Sequence, residues 1–369
     1  MTRTAPAIPS CKFPAHSDPR VWLLSSGASP IGIALSRQLL AHGDFVVLGV
    51  TLSESMGSLA RRSADFAAFW TGEVLVKEEW KTRARVVGLD ARNMGQCQAA
   101  VAEVVTHFRR LDVLFCCSSQ AIVGTVEELS STARSSALIR DQFETNYFGH
   151  VNIIKAALPS MREKHSGHII LLSGITGHLG TPGLGVYCAS QWATEGFCDS
   201  LSYEVAPFNI KVTIVQPNLE ISILTNQITV APQLPQYAEE NNHAPLFREI
   251  IGGLLDRVDA IATTNGSSNG HCDLGRFSSD GIVSEYPQLS EGTKLQLLAE
   301  TVNALAAIGG HDNPPARHIV GHEAVASVKE KLKTVSEELE DFVDVSCAVD
   351  RHPQVGEHRQ DSDDEIQEL

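Results

Sequence analysis

The residues whose types and spacing suit chemistry gather around one tyrosine. In VYCASQWATEGF, Tyr187 and Gln191 stand four apart, which puts both on one face of a helix. A neutral phenol can donate a proton, whereas an amide can hydrogen-bond but supplies no charge. Upstream, HIILLSG ends an apolar run at Ser173 and Gly174. Neighbours on a strand point to opposite faces, but strand ends bend, so Ser173 stays a candidate for contact with a bound molecule. Near the N-terminus, SSGASPIG (25–32) is a small-residue turn between an apolar run and a helical pattern. His318 and His322 have ligand-like spacing, yet no third ligand is evident, so they read as solvated or core histidines and no metal site is expected.

These residues need elements to hold them. VWLLSS, then a helix over 31–42 with Leu35 and Leu39 on one face and Gly43 as a stop, then FVVLGV, is a strand–turn–helix–strand unit. Further strands are expected at 85–89 (RVVGL), in LDVLFCC, at 168–173 and at 211–215. Helices are expected over 93–109, 136–160, from Tyr187 onward, over 291–308 and at the C-terminus. Pro159 lies late in its segment, consistent with the end of that helix. The pattern predicts an α/β protein: a single Rossmann-like doubly wound parallel sheet with a C-terminal helical extension.

In domain terms, residues 1–19 read as a disordered Pro-rich arm, 20–350 as one domain, and 351–369 as a disordered acidic tail. Residues 53–84 form a long connection, a surface helix pair or alternatively a lid or partner surface, and 263–289 read as an inserted Gly/Ser/Asn-rich loop. The net charge is −15 with no Lys/Arg-rich run, which argues against nucleic-acid binding. The chain is 43% hydrophobic, enough for a large core. It has no apolar leader and no run long enough to span a membrane, so a cytoplasmic protein is expected. Its eight cysteines include no C-x-x-C pair and read as reduced structural thiols.

GHIILLSGITGHLGTPGLGVYCASQ, DQFETNYFGHVNIIKAALPSM and SSGASPIG together resemble the short-chain dehydrogenase/reductase family, from about Val21 to Asp350. The resemblance implies oxidoreductase chemistry with NADP or NAD and makes Tyr187 the acid/base. Asn146 matches the family's active-site asparagine, the alternative being a buried asparagine that caps a helix or stabilises a kink. It also exposes departures. Gln191 replaces the lysine of Tyr-x-x-x-Lys, and Gly174 occupies the serine position, with Ser173 one residue short of it. In the nucleotide turn, Ser25, Ser26, Pro30 and Gly32 stand for Thr and three glycines, and Pro30 removes an N–H donor. Cys116-Cys117-Ser118-Ser119 replaces Asn-Asn-Ala-Gly, and residues 49–52 carry neither an acid nor an arginine to choose between the two cofactors. The cofactor-binding positions implied are Ser25, Ile31, Gly32, Asp90, Cys116, Gln191 and Ser222, with NADP or NAD held weakly or lost.

Residues 219–250 correspond to the family's substrate loop, with Ile221, Ile223, Leu224, Ile228, Leu246 and Phe247 as an apolar cover or a packed helix. The resemblance thus implies an atypical dehydrogenase or reductase for a small hydrophobic molecule, polyketide-, terpenoid- or steroid-like, in secondary metabolism, with impaired hydride transfer. Two alternatives share the fold: a redox-silent isomerase or cyclase using Tyr187 as proton donor, or a non-catalytic partner of a same-fold protein. Homo- or hetero-oligomers of this fold are also implied.

Overall fold

A computed structural model of the chain describes residues 11–14, 18–51, 60–217, 221–238, 241, 281–286 and 290–347. Seven parallel strands form the main sheet; its five inner strands are buried on both faces, as an all-parallel sheet requires, and the two edge strands are part-buried. The seven are β1 (Val21–Leu24), β2 (Phe45–Val50), β3 (Ala84–Gly88), β4 (Val113–Cys116), β6 (Gly167–Leu172), β7 (Ile210–Pro217) and β10 (Arg317–Val320), in the order β10-β7-β6-β4-β1-β2-β3. Alternation along each strand feeds two cores: Trp22 and Leu24 enter one, Val21 and Leu23 the other. The doubly wound sheet is the one expected.

Helices cover both faces. On the first lie α1 (Pro30–His42), α2 (Ala60–Phe69), α3 (Glu78–Arg83) and, later in the chain, α10 (Glu291–Ile308). Phe69, Val74 and Trp80 are buried there, so the described part of the long connection is a packed helix pair rather than a lid. On the second face lie α4 (Met94–Phe108), α7 (Gly149–Lys164) and α8 (Gly185–Val205). The short α5 (Val126–Ser130) and α6 (Ala133–Phe143) lead into α7 through a π-helical turn over Glu144–Phe148. α7 does not end at Pro159 as expected but runs five residues further. A proline forfeits one hydrogen bond, and Met161, fully buried beyond it, holds the last turn in the second core.

A second, three-stranded sheet was not legible in the sequence. β5 (Ala121–Val123) pairs parallel with β8 (Ile228–Val230), which pairs antiparallel with β9 (Val283–Glu285). The expected substrate loop therefore contains α9 (Ile221–Leu224) and a strand. The expected insertion 263–289 contributes a strand as well, since pairing with β8 satisfies its backbone. Residues 242–280 and 287–289, including Leu246 and Phe247, lie outside the described residues.

At the N-terminus, the described residues 11–14 of the expected arm lie against α1: the Phe13 ring stacks on His42 with centroids 3.9 Å apart. The chain divides into two compact units, one to Val328 and one from Lys329. The second continues α11 (His322–Asp341) into α12 (Val343–Cys347). The tail 351–369 lies outside the described residues. No disulfide joins the described cysteines to one another, and Cys97, Cys116, Cys117, Cys188 and Cys198 are buried.

Candidate active site

The carboxyl ends of β1 and β4 flank the point where strand order reverses, the place where open α/β sheets bind ligands. The turn leaving β1 is tied to β4 by Ser25, whose hydroxyl accepts the N–H groups of Cys117 (2.9 Å) and Ser118 (3.2 Å). Gly27 donates its N–H to the Gly49 carbonyl at 2.7 Å, and a Cβ there would stand 2.6 Å from that of Leu48. At Gly32 a Cβ would collide with the Ser26 carbonyl. Ser29 caps α1 by accepting the Gly32 N–H at 3.1 Å. Pro30 has no N–H, so among the first three residues of α1 Ile31 keeps the backbone donor that remains for a ligand.

Below the turn opens a polar cleft of about 330 Å³, lined among others by Ser25, Ser26, Thr51, Asp90, Arg92 and Ser119. Asp90 is here, as expected, but its carboxylate is held by Arg92 in a two-pronged contact at 2.9 and 2.7 Å. Hydrogen bonding from that guanidinium holds the Asp90 carboxyl below its ordinary range. The Ser119 hydroxyl is buried without a partner among the described residues. Cys116, expected to bind cofactor, does not reach the cleft. Strand alternation turns its side chain into the second core, and burial pushes its thiol well up. Its neighbour Cys117 lies against the turn instead, with its sulfur 3.8 Å from the Ser26 carbonyl.

The catalytic candidates converge on the first turns of α8. Tyr187 is 1% exposed and packs with Ala121, Val123, Leu184, Ile223, Ile228 and Val230, so the small sheet forms an apolar cover over its ring. One turn on, Gln191 is buried and its carbonyl oxygen accepts the Ser173 hydroxyl at 3.0 Å. Ser173 thus enters the site by orienting Gln191, whose NH2 becomes the end left to donate. Asn146 sits in the π-turn and is buried. It accepts the Gln120 N–H at 2.8 Å, donates to the Gln120 carbonyl at 2.9 Å and to Ser190 at 3.2 Å. Its side chain braces the segment after β4 against α8. The Ser222 side chain lies outside the described residues.

One group escaped the sequence reading. Glu195 lies on the same helical face, four residues past Gln191, which was the available signal. Its carboxylate accepts from Gln216 (2.8 Å) and from Arg317 (2.8 Å), and Arg317 also grips Asp199. Since the Gln216 amide nitrogen is donated to Glu195, its oxygen must accept from His178 Nε2 at 3.2 Å, which fixes that proton on Nε2. Burial raises the Glu195 carboxyl, and the bond from Arg317 opposes it. No cluster of metal-ligating side chains occurs among the described residues, and His318 is half-buried in β10.

With this geometry in place, comparison with known proteins gives the class. Residues 20–228 match the model of the short chain dehydrogenase family, and the chain belongs to that family. It is similar to "Oxidoreductase BOA17" of Botryotinia fuckeliana, 24% identical over 329 residues, covering 89% of this chain and 98% of that protein. It is similar also to the 3-ketodihydrosphingosine reductase of Bacteroides thetaiotaomicron, 38% identical over 39% of this chain and 55% of that one. Among solved structures, a short-chain dehydrogenase from Streptomyces avermitilis aligns with a TM-score of 0.60 at 25% identity, covering 90% and 99% of the two chains.

The family's cofactor class is NAD or NADP. The cleft fits its adenosine end, with polar walls and the unpartnered Ser119 hydroxyl. The turn fits the diphosphate less well, because Gly27 and Gly32 spend their N–H groups within the protein and Pro30 has none. The residues present fit the group with fewer donors than an intact turn would offer.

Proposed function

We propose that this protein is a slow short-chain oxidoreductase that uses NADPH or NADH to reduce a carbonyl on a small hydrophobic, polyketide-, terpenoid- or steroid-like molecule in the cytoplasm. The observation that carries this reading is the Ser173–Gln191 hydrogen bond: the residue one turn below Tyr187 is an oriented amide with no charge. Without a neighbouring cation, a phenol serves as acid better than as base, which favours reduction. When bound, the nicotinamide supplies the hydride. The Tyr187 hydroxyl gives its proton to the carbonyl oxygen as the alcohol forms. The Gln191 NH2 is the donor for a ribose hydroxyl. Ser25, Ile31, Gly32 and Asp90 would hold the dinucleotide, and Ile223, Ile228 and Val230, packed with Tyr187, would shed water from the substrate.

Titrating the protein with NADPH and NADH by fluorescence tests the cofactor half of this reading. Binding weaker than micromolar is expected, and micromolar or tighter affinity contradicts it. Turnover tests the other half: Gln191→Lys with Gly174→Ser should raise the rate, and no change counts against latent hydride chemistry.

A second reading is favoured by the N–H groups spent within the turn and by the Asp90–Arg92 pair, which both weaken a nucleotide site. In it the protein is a redox-silent isomerase or cyclase, with neutral Tyr187 as proton donor. Activity on an intermediate would then persist without nucleotide and fall in Tyr187→Phe. A fully active Tyr187→Phe removes Tyr187 as the proton donor in both readings, whereas no turnover with or without nucleotide leaves a non-catalytic partner of a same-fold enzyme.

A further inference from the structure

Five of the twelve exposed large apolar side chains among the described residues fall in one short run: Leu332, Leu339, Phe342, Val343 and Val345. In α11 Leu332, Val335 and Leu339, with Phe342 in the turn just after it, are spaced three, four and three apart, the a/d spacing of a helix that packs along a partner helix. Leu332 is 60% exposed and Leu339 65%, so this stripe faces water in the single chain. An exposed apolar stripe with charged flanks marks an interaction surface.

The charges beside the stripe say what fits it. Its first half carries Lys329, Lys331 and Lys333 with the single acid Glu330, and its second half carries Glu337, Glu338, Glu340 and Asp341; of these Lys329, Lys331 and Glu338 directly flank the stripe and the others lie further round the helix. Within one helix only Lys333 and Glu337 meet, at 3.5 Å and largely in solvent. Two copies laid antiparallel set the lysine half of each against the glutamate half of the other. Laid parallel, they set like against like. We propose that the segment from Lys329 to Phe342 is a homotypic docking surface, through which two copies of this chain pair as an antiparallel two-helix zipper. The surface is self-complementary, as a two-fold interface must be, and it involves none of the residues of the candidate active site.

Sedimentation equilibrium on the full chain tests this. The wild type should associate reversibly, and Leu332→Glu/Leu339→Glu should halve the mass of the assembly with an unchanged circular dichroism spectrum, because both side chains are exposed. Lys331→Glu/Lys333→Glu, which leaves the stripe intact, should weaken association at least several-fold at low salt, and the difference should shrink as salt screens the charges. Orientation is read from Cys347, which is exposed at the end of α12. In an antiparallel pair the two Cys347 thiols lie on the order of 30 Å apart, so mild oxidation should leave the dimer uncrosslinked. Equal mass for wild type and Leu332→Glu/Leu339→Glu at every concentration overturns the proposal, whether the common state is a monomer or a dimer formed elsewhere. Slow hydrogen exchange over 332–342 in a monomer, which would mean that another part of the chain covers the stripe, overturns it too. Quantitative Cys347–Cys347 crosslinking overturns the antiparallel arrangement.

Discussion

A single side chain decides how Tyr187 can act. A lysine four residues on would place a positive charge about 4 Å away, worth about 4 kcal/mol towards the phenolate at an effective dielectric of about 20. Gln191 gives none of this, and its carbonyl oxygen is already committed to Ser173. Removing that hydroxyl by Ser173→Ala should free the amide to rotate. The expected result is a loss of about 1 kcal/mol in urea unfolding and weaker nucleotide binding with little change in fold. An unchanged nucleotide affinity would show that Ser173 does not orient the amide. The Tyr187–Gln191 pair was legible from spacing alone, because a helix brings residues i and i+4 together wherever it lies. The Ser173–Gln191 contact was not, since it depends on the angle at which the end of β6 meets α8. The misplacement of Cys116 has the same origin: a family position gives an address along the chain, and strand alternation chooses the face.

At the scale of elements, the turn after β1 is built for close packing more than for phosphate. Gly32→Ala should destabilise the protein by at least 2 kcal/mol, since the new methyl meets the Ser26 carbonyl. Asn146→Ala breaks three hydrogen bonds made from the π-turn, two to Gln120 after β4 and one to Ser190 of α8, and should cost about 2–4 kcal/mol. Both are read by urea denaturation, and an Asn146→Ala protein as stable as the wild type would show that the π-turn does not need its side chain. The long elements could be read in advance because each carries its own signal. Val21–Leu24 and Phe45–Val50 are apolar throughout, and Glu291–Ile308 keeps helical spacing behind the capping Ser290. The strands β5, β8 and β9 have three residues each and exist only because distant segments pair, so no local pattern announces them.

For the molecule as a whole, two buried histidines make stability depend on pH. Burial lowers His150 from 6.5 to about 4, with its Nε2 3.0 Å from the Ser118 carbonyl. His168 falls to about 3 for the same reason. It spans Thr213 at 2.9 Å and the Gly310 N–H at 3.0 Å. Both are neutral in the fold and take up protons near pH 6.5 once unfolded. The stability they confer is therefore complete above pH 6.5 and drains away as pH falls towards 4, on the order of 3 kcal/mol for each. Urea midpoints at pH 7.5 and 5 should show this decline, and His168→Gln should flatten it. A midpoint independent of pH over that range would contradict the burial of neutral imidazoles. The acidic balance visible in the composition gave no hint of these groups, because burial is a property of the fold.

The central claim is that the family's tyrosine is in place and the charge that would activate it is missing. Ionisation of Tyr187, followed by ultraviolet difference titration with Tyr187→Phe as the blank, tests this without knowledge of the substrate. The account predicts that Gln191→Lys moves the Tyr187 transition to clearly lower pH than in the wild type. Superimposable titrations of the two proteins would contradict it.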